Sequence, residues 1–139
     1  MVDSERVIRL LDRIRRDRMA LASTGASPSD VELDAAKYRF ITMIEGAARV
    51  AHHISVSEGW SSPDSNAEAF GVIAGKGVID DSLADDLAKA AGFRNVLVHQ
   101  YADVDDRLVI ANLTKLSDFD VFIEQVGRWI GAHDPTTQG

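Results

Sequence analysis

Apolar residues recur along this chain with a helical period of three to four, and no run of period two is long enough for a sheet. A first helix is predicted from about Ser4, its expected N-cap, to Ala22, with Val7, Leu10, Leu11 and Ile14 on one stripe. Small and turn-forming residues, Ser23-Thr24-Gly25-Ala26-Ser27-Pro28, stop it. A long second helix follows from about Val31 to Glu58. Ile41, Ile44, Ala48 and Ala51 form one stripe on it and Phe40, Met43, Ala47, Val50 and Ile54 an adjacent one, an apolar face too wide for a surface helix. This is the predicted central helix.

Beyond the connector Gly59-Trp60-Ser61-Ser62-Pro63-Asp64-Ser65, a short helix is expected from about Ala67 to Ala74, capped by Ser65 or Asn66 and ended by Gly75-Lys76-Gly77. Another should run from about Asp81 to Ala102 behind Asp80 or Ser82. The acidic stretch from Asp103 to Arg107 reads as irregular, Leu108 to Leu113 as a brief turn of helix, and Ser117 opens a last helix through Phe119, Phe122, Ile123, Val126 and Ile130. A frayed tail is expected from about His133. The pattern predicts one all-α domain over residues 1–139, an up-and-down bundle of four to five helices.

A chain of 139 residues can remove about two-thirds of its unfolded surface from water, enough for a core without metal or disulfide staples. The absence of cysteine excludes disulfides, thiolate zinc sites and a cysteine nucleophile. With a mixed-charge start and no run of about 18 apolar residues, it suggests a cytoplasmic protein without a membrane span. The net charge of -7 argues against broad nucleic-acid binding, so any RNA site must be local. The charge is uneven. Residues 1–18 hold six Arg against four acids, and Arg6, Arg9, Arg13 and Arg16 share one helix face. That face either meets RNA or an acidic partner, or is solvated and partly neutralised by Asp12 and Asp17.

Chemistry concentrates in Arg94-Asn95-Val96-Leu97-Val98-His99-Gln100-Tyr101, where an Arg-x4-His-x-Tyr frame interrupts an apolar helix. A permanently charged guanidinium beside an imidazole that gains or loses a proton near neutral pH suits phosphodiester chemistry, the first holding phosphoryl oxygens and the second moving the proton. Glu45, Arg49 and His52 fall in one row of the second helix, either as a Glu45–Arg49 surface pair with a bystander histidine or as a face toward a cleft or subunit contact. Gly71-Val72-Ile73-Ala74-Gly75-Lys76-Gly77 lacks the residues of a phosphate-binding loop, and the adjacent His52-His53 diverge by about 100° on a helix, so no metal site is expected.

From Ile44-Glu45 through Ala51-His52-His53-Ile54, Pro63, Phe70 and Gly77-Val78-Ile79, and on through Leu83-Ala84, Ala90-Ala91-Gly92-Phe93-Arg94-Asn95 and Val98-His99-Gln100-Tyr101, the chain resembles the HepT-like branch of the HEPN superfamily. The resemblance covers roughly residues 35–125. It implies a small all-helical ribonuclease, the toxin half of a toxin–antitoxin module of type II or AMPylation-controlled kind, whose antitoxin is an MNT-type nucleotidyltransferase. It also implies that the motif lines a dimer groove and that the Tyr101 hydroxyl accepts AMP from the antitoxin.

On a regular helix of ~100° per residue Tyr101 lies within about 20° of Arg94, whereas His99 lies about 140° away. Either the helix distorts near His99, or two subunits related by a two-fold axis each supply part of the site. The expected reaction is metal- and cofactor-independent: the RNA 2′-OH attacks the adjacent phosphorus, leaving 2′,3′-cyclic phosphate and 5′-OH ends. Arg94 and His99 are the expected catalytic pair, with Asn95 and Tyr101 positioning the phosphate, His99 or substrate. Asp103, Asp105 and Asp106 would repel RNA unless turned away. The alternatives are a noncatalytic HEPN module that binds a nucleotide or supports a separate nucleotidyltransferase, and a purely structural helical adaptor.

Overall fold

The computed structural model describes residues 1–133 and contains, among them, six α-helices and no strand. Helix α1 is Ser4–Ala22; its cap is Asp3, one residue before the expected Ser4, and the Asp3 carboxylate accepts the Arg6 N–H at 3.1 Å. Helix α2, Asp30–Ser57, starts in a capping box: Ser29 Oγ accepts the Glu32 N–H and the Glu32 carboxylate accepts the Ser29 N–H, each at 3.2 Å. Helix α3, Asn66–Gly75, is capped by Ser65. Two glycines end helices in the same way. Gly59 (φ 71°) after α2 and Gly77 (φ 80°) after α3 adopt the left-handed conformation, so that the next N–H turns back, Trp60 to the Ser55 carbonyl and Val78 to the Ile73 carbonyl, each at 2.9 Å.

Helix α4, Asp81–Gln100, stops before the expected Ala102. Gln100 leaves helical geometry (φ -129°, ψ 30°), and Tyr101–Asp103 form a separate 3-10 turn. The acidic stretch is less irregular than its composition suggests, because the Asp105 carboxylate accepts the Arg107 N–H and opens α5 at Asp106–Asn112. A 3-10 turn, Leu113–Lys115, leads to α6, Ser117–His133. The tail expected beyond His133 lies outside the described residues.

Helix α2 occupies the centre, packed by α1, α3 and α4, while α6 lies against α1 and α4. Its small residues set the spacing. A Cβ on Gly46 would stand 3.1 Å from Ile14 Cγ1, so only glycine lets α1 approach there without displacing Ile14. Edge-to-face pairs fasten the layers: Phe40 of α2 on Phe93 of α4 (5.2 Å between centroids) and Phe70 of α3 on Phe122 of α6 (6.1 Å), each worth about 0.5–1.5 kcal/mol beyond the area it buries. Among the described residues, no helix is long and apolar enough to cross a membrane.

Polar groups pin α1. Buried Asp17 accepts from Arg39 Nη1 at 3.0 Å and from Thr42 Oγ1 at 2.7 Å, and Arg18 grips Asp120 of α6 through Nε and Nη2, both at 2.9 Å. At its start the Asp3 N–H donates to His53 Nε2 at 3.0 Å, which requires that nitrogen unprotonated and leaves the proton on Nδ1, 3.4 Å from Ser57 Oγ. Burial, then the Arg6 charge, holds the His53 pKa below its usual 6.5. The unfolded chain therefore binds the proton more readily than the folded one, and as pH falls through 6.5 toward the folded value His53 progressively destabilises the protein. Melting temperatures should drop more steeply over that window for wild type than for His53→Gln, which keeps an acceptor without titrating; equal slopes would assign the drop to other groups.

Candidate active site

Arg94 leaves the penultimate turn of α4 toward α2, where a partly exposed guanidinium (25 %) meets a partly exposed carboxylate, Glu45 (33 %). Glu45 Oε1 accepts from both Nε, at 3.1 Å, and Nη2, while Nη1 donates to Asn95 Oδ1 at 3.1 Å. This fork fixes the plane of the guanidinium yet leaves it N–H donors to spare, as a phosphate site requires. Arg94, Glu45, Arg49, His52 and Asn66 line a shared open cleft of about 200 Å³. The row Glu45/Arg49/His52 thus faces a cleft, and Glu45 pairs with Arg94 and not with Arg49. Sequence reading missed Asn66, the first residue of α3, whose Oδ1 lies 3.2 Å from His52 Nε2; the two are fourteen positions apart, across the end of α2 and the connector that follows it. The neighbouring His53 instead accepts from the Asp3 N–H at the start of α1.

The other two members of the motif lie apart from this cleft. His99 is exposed on the last turn of α4 and makes no hydrogen bond or ion pair among the described residues. Tyr101, 40 % exposed, has swung away with the 3-10 turn: its hydroxyl donates to the Asp34 carbonyl at 3.0 Å. Asp34 and Glu45 are eleven residues apart on α2, ~16 Å along the axis, so Tyr101 and Arg94 contact α2 about three turns apart. The 20° alignment expected of a regular helix is lost at Gln100. Buried Lys37 holds this turn, donating to the Tyr101 carbonyl at 3.0 Å with its ammonium 5.4 Å from the centre of the ring, a role no sequence signal announced. None of Asp103, Asp105 and Asp106 lines the cleft, and Arg107 draws off the Asp105 charge at 2.9 Å.

Within one chain, then, the cleft gathers a held arginine, a second arginine, a carboxylate and an imidazole, while the exposed His99 is not among its lining residues. A family model described as ribonuclease HepT-like matches residues 5–126. The mRNA nuclease HepT of Shewanella oneidensis is 30% identical over 83 residues, 59% of this chain and 62% of that protein. A candidate RNase of Archaeoglobus fulgidus is 33% identical over 88 residues, 62% and 64% of the two chains, so the match spans less than two thirds of either relative. Among solved structures, the tri-AMPylated Shewanella oneidensis HEPN toxin in complex with MNT antitoxin superposes with a TM-score of 0.82 over 92% of this chain and 99% of that one, at 24% identity. A cytosolic Bacillus subtilis protein of unknown function gives 0.87 over 96% and 94%, at 18% identity. These likenesses show the fold.

Proposed function

The chain belongs to the HepT-like ribonuclease family of HEPN proteins, and from that premise we propose that it is a toxin endoribonuclease that cleaves RNA without a metal ion. The observation that carries the reading is Arg94, held by Glu45 and Asn95 at the mouth of a cleft also lined by Arg49 and His52. In the proposed reaction the 2′-OH loses its proton to an imidazole as its oxygen forms a bond to phosphorus. The bond from phosphorus to the 5′-oxygen breaks, and that oxygen takes up a proton. Arg94 stabilises the charge growing on the nonbridging oxygens, and Asn95 and Arg49 position the phosphate.

His99 is the proposed acid–base group. Because it is exposed and does not line its own chain's cleft, we propose that the site is completed in a two-fold dimer in which the His99 of one chain serves the Arg94 cleft of the other. An MNT-type nucleotidyltransferase is the proposed antitoxin, with the Tyr101 hydroxyl as its AMP acceptor. The Glu45 carboxylate, which an incoming phosphate must share Arg94 with, supports the second reading, a noncatalytic module that holds a nucleotide or supports the nucleotidyltransferase.

Purified protein incubated with single-stranded RNA in excess chelator should yield fragments ending in 2′,3′-cyclic phosphate and 5′-OH, read by mass spectrometry. Fragments with 5′-phosphate ends, or strict dependence on a divalent ion, would overturn the mechanism; no cleavage by a folded dimer would favour the noncatalytic reading.

A further inference from the structure

A second, larger depression of about 510 Å³ runs between α1 and α2, and six guanidinium groups line it: Arg6, Arg9, Arg13 and Arg16 from α1, Arg39 and Arg49 from α2. A single carboxylate, Asp17, faces them, and it is already engaged by Arg39 and Thr42. The two other arginines of α1 show what an ordinary solvated helix face does in this chain: Arg15 pairs with Asp12 and Arg18 with Asp120, each at 2.9 Å. Arg6, Arg9, Arg13, Arg16 and Arg49, by contrast, form no ion pair among the described residues. In a protein of net charge -7, this local excess of cations gathered in a concave surface marks an anion site. Of the acids expected to neutralise the face, Asp12 pairs with Arg15 outside the groove, and Asp17 pairs with Arg39 within it, leaving the other five arginines without a carboxylate.

Two further observations identify the anion. A narrow neck shares Arg13 and Arg49 with the groove and Glu45 and Arg49 with the Arg94 cleft, so that Arg49 borders all three spaces. A polyanion in the groove would thus pass directly to the proposed scissile position. Tyr38, 57 % exposed, also lines the groove, and a free aromatic face among unpaired cations is the composition that takes single-stranded nucleic acid, phosphates on the guanidinium groups and a base on the ring. The α1 arginines extend from residue 6 to 16, ~15 Å of helix axis.

We propose that this arginine groove binds the single-stranded RNA segment flanking the cleaved phosphate and feeds it through the Arg13/Arg49 neck. The assignment rests on the ribonuclease reading for its meaning, though binding can be measured without cleavage. A fluorescein-labelled 2′-O-methyl RNA, which lacks the attacking hydroxyl, serves as the probe. The Arg9→Gln/Arg13→Gln/Arg16→Gln protein should bind it about 10-fold or more weakly than wild type, with the slope of log affinity against log salt reduced by about 2, since each phosphate contact contributes ~0.7 on a single strand. Tyr38→Ala should cost about 5-fold or more with the salt slope unchanged. Arg15→Gln/Arg107→Gln/Arg128→Gln removes equal charge from outside the groove and should bind like wild type.

Equal weakening by both triple variants would reduce the effect to net charge and overturn the groove. So would wild-type affinity in the groove variant, including the case where that variant instead loses an acidic protein partner. Wild type that binds the probe in this pattern but cuts no RNA would sink the ribonuclease reading and leave the groove standing; wild type that cuts RNA while the groove variant binds normally would do the reverse.

Discussion

Replacing His99 or Arg94 by Ala is expected to lower RNA cleavage about 100-fold or more in each case, the scale of losing proton transfer or charge stabilisation in a transition state. His99 is suited to the test because it is exposed and makes no hydrogen bond or ion pair among the described residues, so its removal leaves the helix as it was. Arg94→Ala strands Glu45, but at the rim of an open cleft where water solvates the carboxylate. Unchanged helical circular dichroism is therefore expected for both variants, and near-wild-type cutting by either would remove it from the reaction. His52, inside the cleft with Arg94, supplies the competing assignment. If His52→Ala abolishes cleavage while His99→Ala does not, the acid–base group belongs to α2. If His99 acts across a two-fold axis, mixing Arg94→Ala with His99→Ala subunits should restore part of the activity once exchange is complete.

Tyr101→Phe is expected to leave the protein active in the presence of the proposed nucleotidyltransferase antitoxin, which should silence wild type, an all-or-none difference in growth on co-expression. Tyr101 is exposed yet its hydroxyl is occupied, donating to the Asp34 carbonyl at 3.0 Å, so an AMP transferred to it must first displace that bond. Phe keeps the ring beneath the Lys37 ammonium and gives up one partly exposed hydrogen bond, about 1 kcal/mol. Intact mass should show AMP on wild type and none at position 101 of the variant. A Tyr101→Phe protein still silenced by a catalytically dead partner would mean that inhibition works by binding. AMP found on another residue would move the acceptor.

The helices were legible because apolar period and capping residues agree along the chain. The wide face over Phe40, Ile44, Ala47 and Ala51 marks α2 as central, and Ser65, Gly59 and Gly77 mark ends that the structure keeps. The end of α4 was not legible, since nothing in His99-Gln100-Tyr101 resembles a stop; it is set by tertiary contacts, the Lys37 and Asp34 bonds that draw Tyr101 onto α2. Arg94 and the row Glu45/Arg49/His52 were each visible in sequence. Their junction was not, because the nearest local partner of Glu45, Arg49 one turn away, was the obvious one and a residue forty-nine positions distant took it.

The pairing of the first helix with the last bears on how the chain is made. α1 meets α6 through Arg18 and Asp120, 102 residues apart, and Phe122 of α6 covers the ring of Phe70. Closing so long a loop costs more entropy than the local contacts of the bundle, and during synthesis α6 emerges after the other five described helices. The cleft residues, all on α2, α3 and α4, are therefore complete on the ribosome before the lid over Phe70 exists. A chain cut before α6 would leave the Phe70 ring uncovered, and the seam at Arg18 can form only once α6 is present.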